Sequence, residues 1–293
     1  MPRVQKFVEE EFPDEHVPPL SDLIKNTALQ INHGILFMGD GLRPVHPHTI
    51  HAGLVTCHPP PPLTGSLKDW VEEAEDGVIF VSFGSIIKAS KMPEEKRLMM
   101  LTVFGRLKQR VVWKWDEVMS DAPHNVLISS WLPQPSLLAH NNVKVFVSHG
   151  GAGSMQETIC HKTPIVGVPI HGDQYPLTSA AVEKGFGVQL DWKQITEESL
   201  IKGIKQILDD SSYQESVSSM SELIMDQPQH PLDKTVWWLE YLLRYKIQEY
   251  FESNENYLKG IHTTRICEVQ FTISTGSNTF YSTSSRQLLA YFV

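Results

Sequence analysis

Between Trp131 and Gln174 the chain gathers side chains that could work together. They are an indole (Trp131), a carboxamide (Gln134), an imidazole (His149), a hydroxyl (Ser154) and a carboxylate (Glu157), followed by Asp173 and Gln174. Three glycines, Gly150, Gly151 and Gly153, sit in the middle of the group. Glycine lets a backbone approach a ligand without Cβ obstruction, and a helix opening just after such a turn presents N–H groups that lack intrahelical partners. Their partial positive charge suits a phosphate or pyrophosphate. His149 and Ser154 are donors of suitable length, and Glu157 lies one helical turn beyond Ser154. Asp173 and Gln174 follow the carboxyl end of an apolar run, where ligands of open α/β sheets bind. A flat base, a ribose diol, two phosphates and a hydroxyl-rich sugar need groups of these kinds. Taken alone, the glycine turn reads equally as a tight strand-to-helix connection. It is neither the six-position dinucleotide fingerprint nor, with no lysine following, a P-loop.

The flanking sequence supplies the elements that would hold these groups. Val143–Val147 and Ile165–Val168 read as strands on either side of the turn and a helical segment, a unit of parallel α/β sheets. Upstream, Leu67–Glu75 reads as a short amphipathic helix and Val78–Phe83 as a buried strand ending in Gly84-Ser85. Pro93 opens a helix with Glu94 and Glu95 in its first turn and a core face of Leu98, Leu101, Phe104 and Leu107. Val111–Trp115 and Val126–Ser129 are further strands, with Trp113 and Trp115 in the core or at its rim. Gly187–Leu190 is another strand. Helices follow from Thr196 to about Leu208, over Ser212–Met225 and, amphipathic, over Pro231–Tyr245. This alternation predicts right-handed crossovers and an α/β fold with a doubly wound parallel sheet.

The pattern W-L-P-Q (131–134), H-G-G-A-G-S-M-Q-E (149–157) and P-I-H-G-D-Q (169–174) resembles, in order and spacing, the nucleotide-sugar signature of the UDP-glycosyltransferase family, which contains the animal UDP-glucuronosyltransferases. The resemblance implies a GT-B-type fold whose Rossmann-like C-terminal domain binds the donor, with a truncated N-terminal α/β portion before it. It implies that Trp131 stacks on uracil and Gln134 reaches the uridine. His149 and the Gly151, Gly153 and Ser154 amides would hold the diphosphate, with Ser85 of the S-F-G-S turn as a second phosphate contact. Glu157 would bind the ribose hydroxyls, and Asp173 and Gln174 the transferred sugar. The activity implied is inverting transfer of a hexosyl group, glucuronosyl or glucosyl, to a small lipophilic acceptor, as in detoxification, with UDP-sugar as co-substrate and no other cofactor. One position departs from the family: Leu177 stands where an asparagine is usual. The family's general base is a histidine assisted by an aspartate in an N-terminal region that this chain does not match. None of His16, His33, His46, His48, His51 or His58 stands in that motif, so no residue here takes the role.

Length and composition agree with that reading. At 293 residues, 41% hydrophobic and 20% charged, the chain has material for a substantial core. A formal charge of −9 argues against a nucleic-acid partner. Three cysteines, Cys57, Cys160 and Cys267, are too widely spaced for a disulfide framework or a metal pattern, so the expectation is reduced thiols. His46, His48, His51 and His58 match no common zinc spacing, and no metal is expected. No apolar run reaches membrane-spanning length and the N-terminus lacks an apolar signal region. The chain therefore reads as soluble, whereas family members reside in the endoplasmic reticulum membrane. The expected organisation is an N-terminal remnant over 1–58, a proline-rich linker over 59–65, a donor-binding domain over 66–230, a returning helix over 231–246 and a divergent tail over 247–293. Two other classes remain: a donor-binding fragment without catalysis, associating with full-length relatives, and a nucleotide-sugar epimerase.

Overall fold

The structure, a computed structural model, describes residues 2–13, 19, 27–35, 38, 49–85, 88–245 and 271–272. The expectations for His16, His46, His48, Cys267 and nearly all of 247–293 lie outside these residues. Helix α1 covers Pro2–Glu11, and strands β1 (Gln30–Asn32) and β2 (Thr49–His51) pair in parallel. Then come α2 (Gly65–Glu72), β3 (Val78–Ser82), a short 3-10 turn (Ala89–Lys91), α3 (Glu94–Gly105), β4 (Arg110–Lys114) and β5 (Val126–Ser129). The signature region holds α4 (Gln134–Leu138), β6 (Val143–Ser148), α5 (Ala152–Cys160), β7 (Ile165–Gly167) and α6 (Gln174–Glu183). Strand β8 (Gly187–Gln189), helices α7 (Glu197–Asp209), α8 (Ser212–Met225) and α9 (Pro231–Tyr245), and the two-residue strand β9 (Phe271–Thr272) beside β1 complete the described chain.

The run Val78-Ile79-Phe80-Val81 has no polar face, and a parallel strand of that composition needs cover on both sides. It receives it. The main sheet has the parallel order β5-β4-β3-β6-β7-β8, with β3 central and every residue of it buried. Side chains alternate across the pleat. Phe80, Val112 and Phe146 face one cluster with Val71, Leu137, Met155, Ile159 and Val217 from α2, α4, α5 and α8. Ile79, Val81, Val111, Trp113, Val145 and Val147 face the other, with Val103, Phe104, Leu200 and Ile204 from α3 and α7. Phe80 and Phe146 stack with centroids 5.0 Å apart, which locks the two central strands in register. Thr196 caps α7 through a capping box with Ser199, satisfying N–H groups at its start.

In sequence order the six strands run 3-2-1-4-5-6, so the direction of winding reverses between β3 and β6. At such a reversal the loops leaving the two strands diverge and open a crevice at the carboxyl edge of the sheet. A second, small core lies apart: Leu29, Ile31, Ile50 and Ala52 of the β1–β2 unit pack on Leu242, Trp238 and Leu239 of α9. The last long helix thus returns onto the first strands.

Two expectations are corrected here. Cys57 and Cys160 form a disulfide, where reduced thiols were expected: folding brings the turn after β2 against the end of α5, a proximity that their spacing of 103 residues does not reveal. In α3 the buried residues are Met100, Leu101, Val103 and Phe104, while Leu98 is exposed. The helix stops at Gly105, so Leu107 is no longer on its face.

Candidate functional site

Strand β3 delivers Phe83-Gly84-Ser85 to the crevice, and β6 delivers His149-Gly150-Gly151 from the opposite side. Gly150 has φ +75°, and a Cβ there would meet Thr178 Cγ2 at 2.1 Å, so no other residue fits the turn. The His149 ring lies between two glycines: a Cβ on Gly84 would sit 2.9 Å from its Cε1, and one on Gly151 2.7 Å from its Nε2. Burial, with the charge of neighbouring His171 adding to it, lowers the His149 pKa to about 4. The ring is neutral at physiological pH and offers a hydrogen bond rather than a charge.

Helix α5 starts with Gly151 at its N-cap and no side-chain cap, so its first N–H groups stay open to a ligand. Over Gly153 nothing lies within 4 Å of a built Cβ; the space there is free on the ligand side. On the inner side of the same helix, Gln134 Nε2 donates to Glu157 Oε2 at 2.6 Å and to Ser154 Oγ at 3.4 Å. Gln134 is the first residue of α4, so two helix starts meet at this cluster. Burial raises the Glu157 pKa, and the Gln134 hydrogen bond opposes the rise.

Trp131 stands at the mouth with 75% of its surface exposed. A large indole left uncovered beside polar, converging groups offers a face for a flat ligand. Sequence reasoning missed its neighbour Lys114, the last residue of β4. The Lys114 ammonium is 5.2 Å from the Trp131 ring centroid and donates to Gly84 O and Ser85 Oγ, both at 3.0 Å. It is nearly buried, and among the described residues no carboxylate forms an ion pair with it. A single lysine after V-V-W carries no motif; its position at the carboxyl end of a strand next to the switch point is the signal that could have found it.

Asp173 and Gln174 sit differently from each other. Asp173 occupies the N-cap position of α6 without using its side chain as a cap. Gln174 is buried, and its Oε1 accepts from the N–H groups of Ile170 and His171 at 2.8 and 3.1 Å. Its oxygen is committed to shaping the loop, which leaves only the Nε2 end for a ligand. Leu177 packs against the core, so the usual asparagine is replaced by an apolar contact.

The structure thus brings Ser85, Trp131, Gln134, His149, Gly151, Gly153, Ser154, Glu157, Asp173 and Gln174 to the carboxyl edge of one sheet. A wide cleft of about 1290 Å³ lined by Leu138, His140, His161 and Asp210 lies at the opposite, amino edge and gathers none of them. Among the described residues no three His, Cys, Asp or Glu side chains converge as a metal site, and no helix is long and apolar enough to cross a membrane.

Comparison with known proteins places this geometry among relatives. The model of the family described as UDP-glucoronosyl and UDP-glucosyl transferase matches residues 35–258. UDP-glucosyltransferase 2 of Dactylopius coccus is 34% identical over 230 residues, 78% of this chain and 44% of its own length. Human 2-hydroxyacylsphingosine 1-beta-galactosyltransferase is 36% identical over 205 residues, 69% of this chain and 38% of its own length. UDP-glucuronosyltransferase 2B14 of Oryctolagus cuniculus is 36% identical over 206 residues, 70% and 38% of the respective chains. The chain spans less than half the length of these curated relatives. Among solved structures, the glycotransferase of kitacinnamycin superimposes with a TM-score of 0.58 at 20% identity, over 75% of this chain and 57% of that one. The spinosyn forosaminyltransferase SpnP gives 0.57 at 19%, over 69% and 52%. Both share the fold.

Proposed function

Because the chain belongs to the UDP-glucoronosyl and UDP-glucosyl transferase family, we propose that it binds a UDP-sugar in the crevice between β3 and β6 and serves transfer of the hexosyl group to a small lipophilic acceptor. The observation that carries this reading is the Gln134–Glu157–Ser154 cluster beside an uncapped helix start, with an exposed Trp131 three residues before Gln134. Uracil stacks on the indole, and Glu157, held by Gln134, accepts from the ribose diol. The diphosphate lies over Gly153 against the α5 amides, His149 and Ser85, with Lys114 behind them. Asp173 and the Gln174 Nε2 face the hexose.

In this arrangement the protein's contribution to the chemistry is to the leaving group. As the anomeric carbon–oxygen bond breaks, negative charge grows on UDP. Amides fixed by the helix, a neutral imidazole and a buried ammonium already point at it, so no reorganisation is needed as charge develops. The acceptor hydroxyl must also lose a proton to a general base. Among the described residues no histidine is hydrogen-bonded to an aspartate, and the base is assigned to none of them.

That last observation favours a second reading, donor binding without transfer, with turnover supplied by association with a full-length relative. Calorimetric titration with UDP-glucose and UDP-glucuronic acid, run beside an assay for hexosyl transfer or hydrolysis on the same preparation, separates the two. Binding with turnover supports the first; binding without turnover selects the second; no binding sinks both.

A further inference from the structure

Helix α5 has a second working face. Gln156 stands next to Glu157 in sequence but points away from the crevice and is buried. Its Oε1 accepts from Leu54 N–H at 3.1 Å, and its Nε2 donates to His33 O at 3.2 Å and His33 Nδ1 at 3.0 Å. One carboxamide therefore closes three hydrogen bonds with two loops more than 100 residues away in sequence. Those loops form one unit: Ala52 N–H donates to Asn32 O at 2.8 Å, and a Cβ on Gly53 would meet Gly34 O at 2.6 Å. Leu54 is fully buried with φ +63°, a left-handed conformation that disfavours a branched side chain and persists only where surroundings fix it. One turn further along α5, Cys160 bonds the same loop at Cys57.

Two faces of one rigid element thus have different tasks. One presents the amides of the first turn, Ser154 and Glu157 to the donor crevice, while on the other Gln156 and Cys160 grip the loops that follow β1 and β2. We infer that Gln156 is a positioning residue that couples occupancy of the donor crevice to the placement of segments 28–35 and 49–57, which precede the proline-rich linker. This rests on the reading that α5 receives the UDP diphosphate. A ligand that orders the start of a nine-residue helix restricts the whole helix, and the restriction passes to whatever is hydrogen-bonded along it. The transferring sugar and its acceptor must be held in a fixed mutual position, and such a link registers the donor helix against the strands on its other side.

Hydrogen–deuterium exchange of the full chain with and without saturating UDP tests the coupling, with UDP affinity measured by calorimetry on the same samples. In the unaltered chain UDP is expected to slow exchange in peptides spanning 28–35 and 49–57 by about threefold or more. Gln156→Met keeps the volume and removes the hydrogen bonds; it is expected to abolish that slowing while leaving UDP affinity within about threefold. Gln156→Glu keeps an oxygen for Leu54 N–H but sets a second acceptor, in place of the Nε2 donor, against His33 O, so it is expected to lose the response as Gln156→Met does. Ile159→Val, on the same helix but in the core, matches any loss of thermal stability and is expected to keep the response. UDP bound with no slowing at these peptides, or the same slowing in Gln156→Met, overturns the coupling alone. A chain that takes up no UDP in the calorimeter overturns the donor site, and the coupling with it.

Discussion

Gln134 and Glu157 lie on different helices and meet through a hydrogen bond of 2.6 Å from the Gln134 carboxamide to the Glu157 carboxylate. The bond orients an acid that burial makes costly to ionise, so the site holds a charge at the expense of stability. A Glu157→Gln variant keeps an acceptor for Gln134 and removes the charge. Its melting temperature at pH 7 is expected to rise by roughly 2–4 °C, the equivalent of about 1 kcal/mol in a domain of this size. Its UDP affinity is expected to fall about tenfold or more as the ribose diol loses a charged acceptor. Differential scanning calorimetry and UDP titration check both; a variant that is less stable and binds UDP as well as before contradicts the role.

On the proposed reading, Lys114 and Trp131 divide the ligand between them. If the ammonium acts on the diphosphate, Lys114→Met lowers UDP affinity by roughly tenfold and leaves uridine affinity unchanged. The Lys114 contribution is also expected to weaken with added salt. Equal losses for UDP and uridine contradict that division.

Cys57 and Cys160 close a loop of 103 residues. A cross-link of that span stabilises a folded domain by up to about 4–5 kcal/mol through the entropy it removes from the unfolded chain. Reduction, or Cys160→Ala under oxidising conditions, is expected to lower the melting temperature by roughly 10 °C. Thermal unfolding with and without a thiol reductant tests this, and coincident transitions contradict the bond.

His149 gives the chain a pH dependence. Its folded pKa is about 4 against an ordinary 6.5, so as pH falls through 6.5 the unfolded state takes up the proton first. Stability present above pH 6.5 is lost progressively down to about pH 4, on the order of 2–3 kcal/mol from this ring. His33, His51 and His161, all lowered by burial, act in the same sense. Glu157, raised by burial, acts in the opposite one because the folded state takes its proton first. The difference between the parent and His149→Gln isolates the ring: the variant is expected to lose less stability over that window, and parallel curves contradict the assignment.

Much of the sheet was legible because its strands consist of β-branched and aromatic residues between glycine and proline breaks; Val78–Ser82 and Val126–Ser129 fall where composition put them. The site residues in the W-L-P-Q to D-Q window were legible as types at fixed spacing. What was not legible depends on contacts that residue type does not announce, most of them distant in sequence. Lys114 lies in a strand remote from the window and reaches the site only because β4 pairs with β3. Gln156 reads as a spacer until the fold sets His33 and Leu54 against it. Gln174 reads as a sugar ligand, yet two backbone N–H groups of its own loop claim its oxygen, a local preference that residue type does not reveal.

The most direct test of the proposed uridine diphosphate crevice is isothermal titration of UDP into the full chain and into Trp131→Ala. Trp131 is 75% exposed, so its removal is expected to change stability by no more than about 0.5 kcal/mol. The lost stacking is expected to weaken UDP by about 1–3 kcal/mol, roughly fivefold to 150-fold. Saturable one-to-one binding that weakens in this way at unchanged melting temperature is the predicted result; the absence of binding, or an affinity indifferent to the indole, contradicts it.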